Sequence, residues 1–339
     1  MHFLSDNAAR ACPEVLQAVL NANDVVDGAY DSDSISARLD SGFSDLFGID
    51  CRVFPVSTGT AANALALAAM LPPFGAVVCH EEAHIHVDEA GAPEFYTAGA
   101  KLLLADGDGA KLTPESVAKT MAPMRGDVHQ VAVRALSLTQ ATEYGRVYTP
   151  DEIMALSADA ARRGWHVHMD GARFANAIAT LGCHPGDVTW RAGVDALSFG
   201  FIKNGGMSAE ALIIFTSELA ETIPLRRKRA GQMPSKGRFA AAQLLAMIED
   251  DVWLRNARRA NAGAQRLGAA AADRLMHRVD ANEVFLRIGV PGATLLREQG
   301  FDFYDWGDEG AGEARFVVAW DTPDGDVDAL AKAIGSLPI

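Results

Sequence analysis

The chain has 339 residues, 49% hydrophobic and 22% charged, which is enough apolar material for a large core, points to about two domains and excludes disorder as the main state. Its 30 basic and 44 acidic side chains leave a net charge of -14, so generalised attraction to nucleic acid or to an anionic membrane is disfavoured. What remains is a protein that handles small molecules.

The opening, MHFLSDNAARACPEV, has no basic segment followed by a long apolar run, which reads against a secretory signal. The most apolar early stretch, Ala61 to Leu71, contains Asn63 and stops at Pro72 and Pro73, short of the ~18 residues a membrane span needs. Cys12, Cys51, Cys79 and Cys183 lie far apart with no CxxC, a pattern of reduced thiols in a cytoplasm rather than a zinc knot or disulfide frame. From about residue 50 to 215 short apolar runs alternate with helical ones: Val53 to Val56, Ala76 to Cys79, Lys101 to Leu104, Val131 to Leu138, His166 to Asp170, Ala196 to Phe199 and Ala211 to Phe215. That alternation predicts a mostly parallel sheet with helices on both faces. One helix is fully punctuated, with Thr149 as cap, Pro150 at its first position, Glu152 three residues after the cap and Gly164 beyond Arg162 and Arg163. After Phe215 come a basic stretch, an alanine-rich helical region from about Gly237 to Leu275, and short strands such as Glu283 to Arg287 and Arg315 to Trp320. The expected organisation is an N-terminal segment over 1–15, a large α/β domain over 16–236 and a smaller α+β domain over 237–339.

Ser57-Thr58-Gly59-Thr60-Ala61-Ala62-Asn63 joins the first strand to an alanine-rich helix and puts a glycine and three hydroxyls at a helix start. Free N–H groups and the helix dipole make that an anion site, the alternative being an ordinary cap with a turn glycine. In His168-Met169-Asp170-Gly171-Ala172-Arg173 the strand alternation puts His166, His168 and Asp170 on one face, with Asp170 at the strand's C-terminal end, where parallel sheets bind ligands. The plainer alternative makes Asp170 a helix cap and Arg173 a surface ion pair. The pairs His84/His86 and His166/His168 are metal ligands by type, yet no third ligand stands at a telling spacing, so no metal is expected. Ser198-Phe199-Gly200-Phe201-Ile202-Lys203-Asn204-Gly205-Gly206 sets one lysine among apolar residues and glycines. Burial favours a lysine's neutral amine, the form that makes a Schiff base, whereas a lone loop lysine is ordinarily only solvated.

Together a helix start suited to phosphate, an aspartate at a strand end and a lysine 33 residues later supply the three anchors of pyridoxal 5'-phosphate: its phosphate, its pyridine nitrogen and its aldehyde. The constellation resembles the fold-type-I pyridoxal-phosphate enzymes, and within them the threonine aldolases of the β-eliminating-lyase group, from Ser5 to about Trp320. The resemblance implies a mostly parallel central sheet flanked by helices with a smaller C-terminal α+β domain. It implies a lyase that cleaves L-threonine, L-allo-threonine or L-phenylserine to glycine and an aldehyde.

Residue by residue it implies that Lys203 carries the cofactor, that Asp170 pairs with the ring nitrogen and that Thr58, Gly59 and Thr60 hold the phosphate. His84, in EEAHIHVDEAG, matches a histidine that stacks on the ring and is a candidate base. Ser5, in SDN, and Arg315, in ARFVVAW, match groups that hold the substrate carboxylate. Arg173, in MDGAR, matches an arginine of the phosphate-proximal network or of the carboxylate site, and Tyr30, in AYDSDS, an aromatic near the cofactor. The basic island Arg226-Arg227-Lys228-Arg229 with Lys236 and Arg238 reads as a solvated helix face, and the resemblance implies that Lys228 or Lys236 reaches a neighbouring subunit's phosphate. A homodimer or homotetramer with shared sites follows, in which the acidic total conceals a locally basic site.

Leu136-Ser137-Leu138-Thr139-Gln140-Ala141-Thr142-Glu143-Tyr144-Gly145 departs from the resemblance, because many threonine aldolases carry a second histidine there and this stretch has none. That leaves open the group that takes the β-hydroxyl proton and the choice between threo and allo substrates. Competing readings are another lyase or an aminotransferase on the same scaffold, and, from a different class, a catalytically silent cofactor-binding module.

Overall fold

The computed structural model describes residues 1–24 and 26–338. Seven strands form the central sheet: β1 (Arg52–Val56), β2 (Gly75–His80), β3 (Lys101–Ala105), β4 (Ala132–Thr139), β5 (His166–Gly171), β6 (Ala196–Phe199) and β7 (Glu210–Ile214), in the order β1-β7-β6-β5-β4-β2-β3. β7 runs antiparallel to both its neighbours, β1 and β6, while the pairs from β6 through β3 are parallel. Interior parallel strands are covered on both faces and so read as continuous apolar runs, as β2 does with Gly-Ala-Val-Val-Cys-His, all buried.

Two apolar clusters sandwich the sheet. One face packs Phe43, Phe47, Phe174, Phe199, Phe201 and Trp253, and the other packs Phe54, Leu65, Leu67, Leu212 and Ile223. The Gly59–Met70 helix is buried on nearly every side, which explains why its sequence shows alanine and leucine with so little polarity; Asn63 is the exception. The Pro150–Arg162 helix carries the expected capping box, with Thr149 Oγ1 accepting from Glu152 N–H at 3.3 Å and Glu152 Oε2 accepting from Thr149 N–H at 2.7 Å.

The smaller sheet is antiparallel, ordered β8 (Glu283–Arg287), β10 (Glu313–Val317), β9 (Tyr304–Trp306). By packing, the division between the two bodies falls later than 237 and is not a single cut. The Arg238–Ile248 helix lies in the large core through Ala241, Leu244, Leu245 and Met247. Asp250 and Asp251, at φ 49° and 53°, then turn the chain into the Val252–Ala271 helix. That helix places Val252, Trp253 and Ala257 in the large core, and Ala264, Leu267 and Ala271 in the small one. The alanine-rich composition is the same on both sides of the bend, so it gives no local signal of the change.

The first residues belong to neither half alone. Phe3 is fully buried in the small core, its N–H donating to Asp302 O at 2.8 Å and its carbonyl accepting from Val317 N–H at 2.9 Å, whereas Cys12 and Val15 are buried in the large core. Residues 4–11 therefore cross the seam between the two bodies. That crossing carries Asp6 and Asn7 to the site.

Candidate active site

The C-terminal ends of β4, β5 and β6 open into a cavity of about 270 Å³ at the seam, the place where an open parallel sheet leaves a ligand crevice. Thr58, Gly59, Thr60, His84, Asp170, Arg173 and Lys203 all line it. Ser5, Tyr30, Lys228, Lys236 and Arg315 are not among its lining residues.

The helix start is both a cap and a wall. Thr58 Oγ1 accepts from Ala61 N–H at 3.1 Å, which orders the first turn, and a side-chain carbon built on Gly59 would meet no atom within 4 Å, so this turn faces open space. Asp170 is buried at the end of β5. One of its oxygens accepts from Ala172 N–H at 3.0 Å and the other from Asn63 Nδ2 at 2.8 Å. Asn63 Nδ2 also donates to Glu89 Oε1 at 2.8 Å, and the same oxygen meets His84 Nδ1 at 2.9 Å. A chain Asp170–Asn63–Glu89–His84 thus orients the carboxylate and the imidazole together. The hydrogen bond to the Glu89 carboxylate holds the His84 ring pKa above its ordinary value, against the opposing effect of burial. His168, two residues before Asp170, does not reach the cavity: its nitrogens bond Ser137 Oγ at 2.9 Å and Ser198 Oγ at 3.0 Å, and burial lowers its pKa to about 4.

Lys203 sits in the turn after β6. Glu210, at the head of the antiparallel strand β7, reaches back so that its Oε2 accepts from the N–H groups of Phe201 and, at 3.3 Å, Ile202, and burial raises this carboxyl's pKa to about 7. The lysine turn is therefore tied at the two residues preceding Lys203.

Arg173 is more committed than its sequence context suggests. Its Nε and Nη2 donate to the two oxygens of Asp6 at 2.8 and 2.9 Å, and Nη1 lies 3.2 Å from Glu283 Oε2. Burial works against the Asp6 carboxylate, but Arg173, Lys203 and Asn282 outweigh it and hold its pKa below the usual range. Burial raises the pKa of Glu283 despite the nearby Arg173 and Arg315. Among the described residues Arg315 keeps a free donor: its Nε is buried without a partner, while Nη2 reaches Leu4 O at 3.4 Å and the guanidinium lies 5.4 Å from the ring centres of Tyr304 and Trp306. Ser5 Oγ accepts from Asn7 N–H at 3.2 Å, and it is Asn7 that lines the cavity.

The rim differs from its reading as one solvated basic face. Arg227 is buried, donating to Pro55 O at 2.6 Å and paired with Asp31, whereas Lys228 is exposed with its Nζ 4.2 Å from the centre of the exposed Tyr30 ring. Gln232 Oε1 accepts from Ser57 N–H at 2.9 Å and thereby fixes this segment beside the Thr58–Thr60 turn. Lys236 is exposed on the following loop. The cavity itself is not predominantly basic: Glu89, Glu143, Asp170 and Glu210 face it alongside Lys203, Arg173 and His84. The residues that sequence reasoning missed are mainly Glu89, Glu143 and Glu210, together with Asn63, Asn7 and Asp6. Asn63 had a signal, as the one amide in an otherwise apolar helix, and Glu210 had none.

An open α/β sheet with a lysine turn, an aspartate at a strand end and a helix start around one cavity defines an enzyme scaffold. The chain belongs to the beta-eliminating lyase family, whose model matches residues 2–290, and it is a lyase. It is 47% identical over 336 residues to the low specificity L-threonine aldolase of Pseudomonas aeruginosa, covering 98% of this chain and 96% of that one. It is 28% identical to the low specificity L-threonine aldolase of Escherichia coli strain K12, over 87% of this chain and 86% of the other. Among solved structures, the Leishmania major threonine aldolase superposes with a TM-score of 0.92 at 25% identity, covering 98% of both chains. An aspartate aminotransferase of Thermus thermophilus, at 15% identity and a TM-score of 0.72, covering 99% of this chain and 91% of that one, shares the fold.

Proposed function

We propose that the chain is a pyridoxal 5'-phosphate-dependent aldolase that cleaves L-β-hydroxy-α-amino acids, such as L-threonine, L-allo-threonine or L-phenylserine, into glycine and an aldehyde. The observation that carries this reading is the union of Thr58 to Thr60, Asp170, Lys203 and His84 around one cavity. The residues fit the cofactor. A helix start with open space beside Gly59 suits a phosphate, a buried oriented carboxylate suits a protonated ring nitrogen, and Lys203 has no ion pair among the described residues.

When bound through the Lys203 amine, the cofactor supplies an electron-withdrawing ring that takes up the electron pair released at Cα. The chain's own residues do the rest. Asp170, held by Asn63 and Ala172, would pair with the ring nitrogen and favour its protonated form, and His84, held by Glu89, would border the ring. Arg315, which does not line the cavity but whose buried Nε has no partner among the described residues, would supply a donor for the substrate carboxylate. Arg173, tied to Asp6 and Glu283, stiffens the wall beside it and shares that load only by loosening an existing pair. Fixing the carboxylate and the amine leaves the Cα–Cβ bond as the remaining direction, and orientation of this kind is where binding energy becomes rate.

Tyr30, Lys228 and Lys236 support a second subunit rather than this chain's own cavity. We infer a homo-oligomer in which the rim of one copy completes the phosphate end of another. Four free cysteines support a cytoplasmic setting, and among the described residues no helix is long and apolar enough to cross a membrane. The reading is tested by supplying L-threonine, L-allo-threonine and L-phenylserine separately to the holoenzyme. Equimolar glycine and aldehyde without an oxo acid is the expected result; dependence on an oxo acid would make the protein an aminotransferase.

A further inference from the structure

The cavity's acids are not equivalent. Both Asp170 oxygens are bonded and Glu210 accepts from the N–H groups before Lys203, while Glu89, whose Oε2 is also unpartnered among the described residues, is paired through Oε1 with the His84 ring and bonded there to Asn63. Glu143 differs. Its Oε1 accepts from the His84 backbone N–H at 3.0 Å and Thr139 Oγ1 at 2.9 Å, both uncharged donors, while Oε2 is buried with no hydrogen-bond partner among the described residues. It lines the cavity from the loop after β4, in the stretch where the sequence lacks a histidine. An unpaired, desolvated carboxylate oxygen without a cationic partner is a proton acceptor.

We propose that Glu143 takes the proton from the β-hydroxyl of the substrate, an inference that rests on the aldolase reading above. Oε2 accepts that proton as the hydroxyl-bearing Cβ becomes the C=O of the departing aldehyde, and the electron pair of the broken Cα–Cβ bond stays with Cα. Cα then takes a proton from the Lys203 amino group, freed when the substrate's amine takes its place on the cofactor. Glu143 gives its own proton to solvent and Lys203 regains one, so the balance closes as glycine plus aldehyde. His84 is less suited to the task, because Glu89 biases its ring toward the protonated, charged form.

The charged and titratable groups around Glu143 are His84 from the 84–87 turn, Asp170 from β5, Arg173 after it, Cys79 from β2, and Tyr144 and Tyr148 along its own loop. Burial, reinforced by the Asp170 charge, raises the Glu143 pKa to about 7. The carboxylate required for catalysis therefore forms as pH rises through that value, giving cleavage an acid limb near pH 7.

The test compares wild type with Glu143→Gln and Glu143→Asp in holoenzyme and cofactor-free protein. Glu143→Gln is expected to bind pyridoxal phosphate, by absorbance titration, and to exchange the α-proton of glycine in D2O, both within about twofold of wild type. Its kcat/KM for cleavage falls roughly 100-fold or more and loses the acid limb, a size typical of a missing general base. Glu143→Asp recovers part of the rate and keeps a limb. In cofactor-free protein, infrared difference spectra of Glu143→Gln lose one carboxyl titrating near pH 7 and retain that of Glu210. Cleavage within a few-fold of wild type, glycine exchange falling in step with cleavage, or an unchanged carboxyl titration would each overturn the assignment. A wild-type holoenzyme that exchanges glycine but cleaves no β-hydroxy amino acid removes the aldolase reading itself, and the assignment with it.

Discussion

The floor of the cavity and its outer rim are built in opposite ways. On the floor, Asp170, Asn63, Glu89 and His84 hold one another by bonds of 2.8 to 2.9 Å, and Arg173 is saturated by Asp6 and Glu283. On the rim, Lys228 and Lys236 are exposed and Tyr30 keeps 53% of its surface, with Lys228 resting on its ring. One chain thus completes and orients the reacting floor by itself, while its rim presents cationic and aromatic groups outward. Preorganised polar groups act strongly because they need not rearrange during reaction. Groups on a solvated rim contribute chiefly when another surface covers them.

The contrast yields predictions of decreasing size. Lys203→Ala should abolish cleavage and leave no cofactor covalently attached after borohydride reduction, read by mass spectrometry; attached cofactor in that variant would move the linkage to another residue. Arg173→Ala leaves Asp6 and Glu283 buried without their cation and should cost about 3 to 5 kcal/mol of stability in urea unfolding. A loss below about 1 kcal/mol would mean the floor is not held by this pair. Asp6 also gives the floor a pH signature. Because its folded pKa is lowered, its stabilisation is present above the unfolded value near 3.8 and is lost as pH falls through the folded value, so an Asp6→Asn protein should show a flatter stability profile on the acid side.

Asp170→Ala should lower kcat by about 10² to 10³, the scale of losing one preorganised electrostatic partner, with the fold retained by circular dichroism. The smallest effect belongs to the rim. Lys228→Ala should weaken cofactor affinity by about tenfold at most, and more at protein concentrations where the oligomer is intact than where it is dissociated. An effect independent of concentration would place Lys228 at its own chain's site and erase the difference between floor and rim.

Local features were the legible ones. The Thr149 capping box, the strand alternation that ends at Asp170 and the glycine-flanked Lys203 all lie within a few residues, so short-range rules locate them. The Asp6–Arg173 pair joins residues 167 apart, and Glu210 reaches the lysine turn only because β7 runs antiparallel beside β6. No spacing rule carries such pairings. The limit near 237 was hidden for another reason: the same alanine-rich helical composition serves the large core before the Asp250–Asp251 bend and both cores after it. The expectation of a locally basic site erred because it counted the arginines and lysines without the buried carboxylates opposite them.

The central claim is that this floor cleaves a carbon–carbon bond next to an amino group. The most direct measurement is product analysis of the holoenzyme with L-threonine, L-allo-threonine and L-phenylserine, each supplied alone at neutral pH. The account predicts glycine and the matching aldehyde in equal amounts from at least one of them with no oxo acid present; no glycine from any of the three would contradict it.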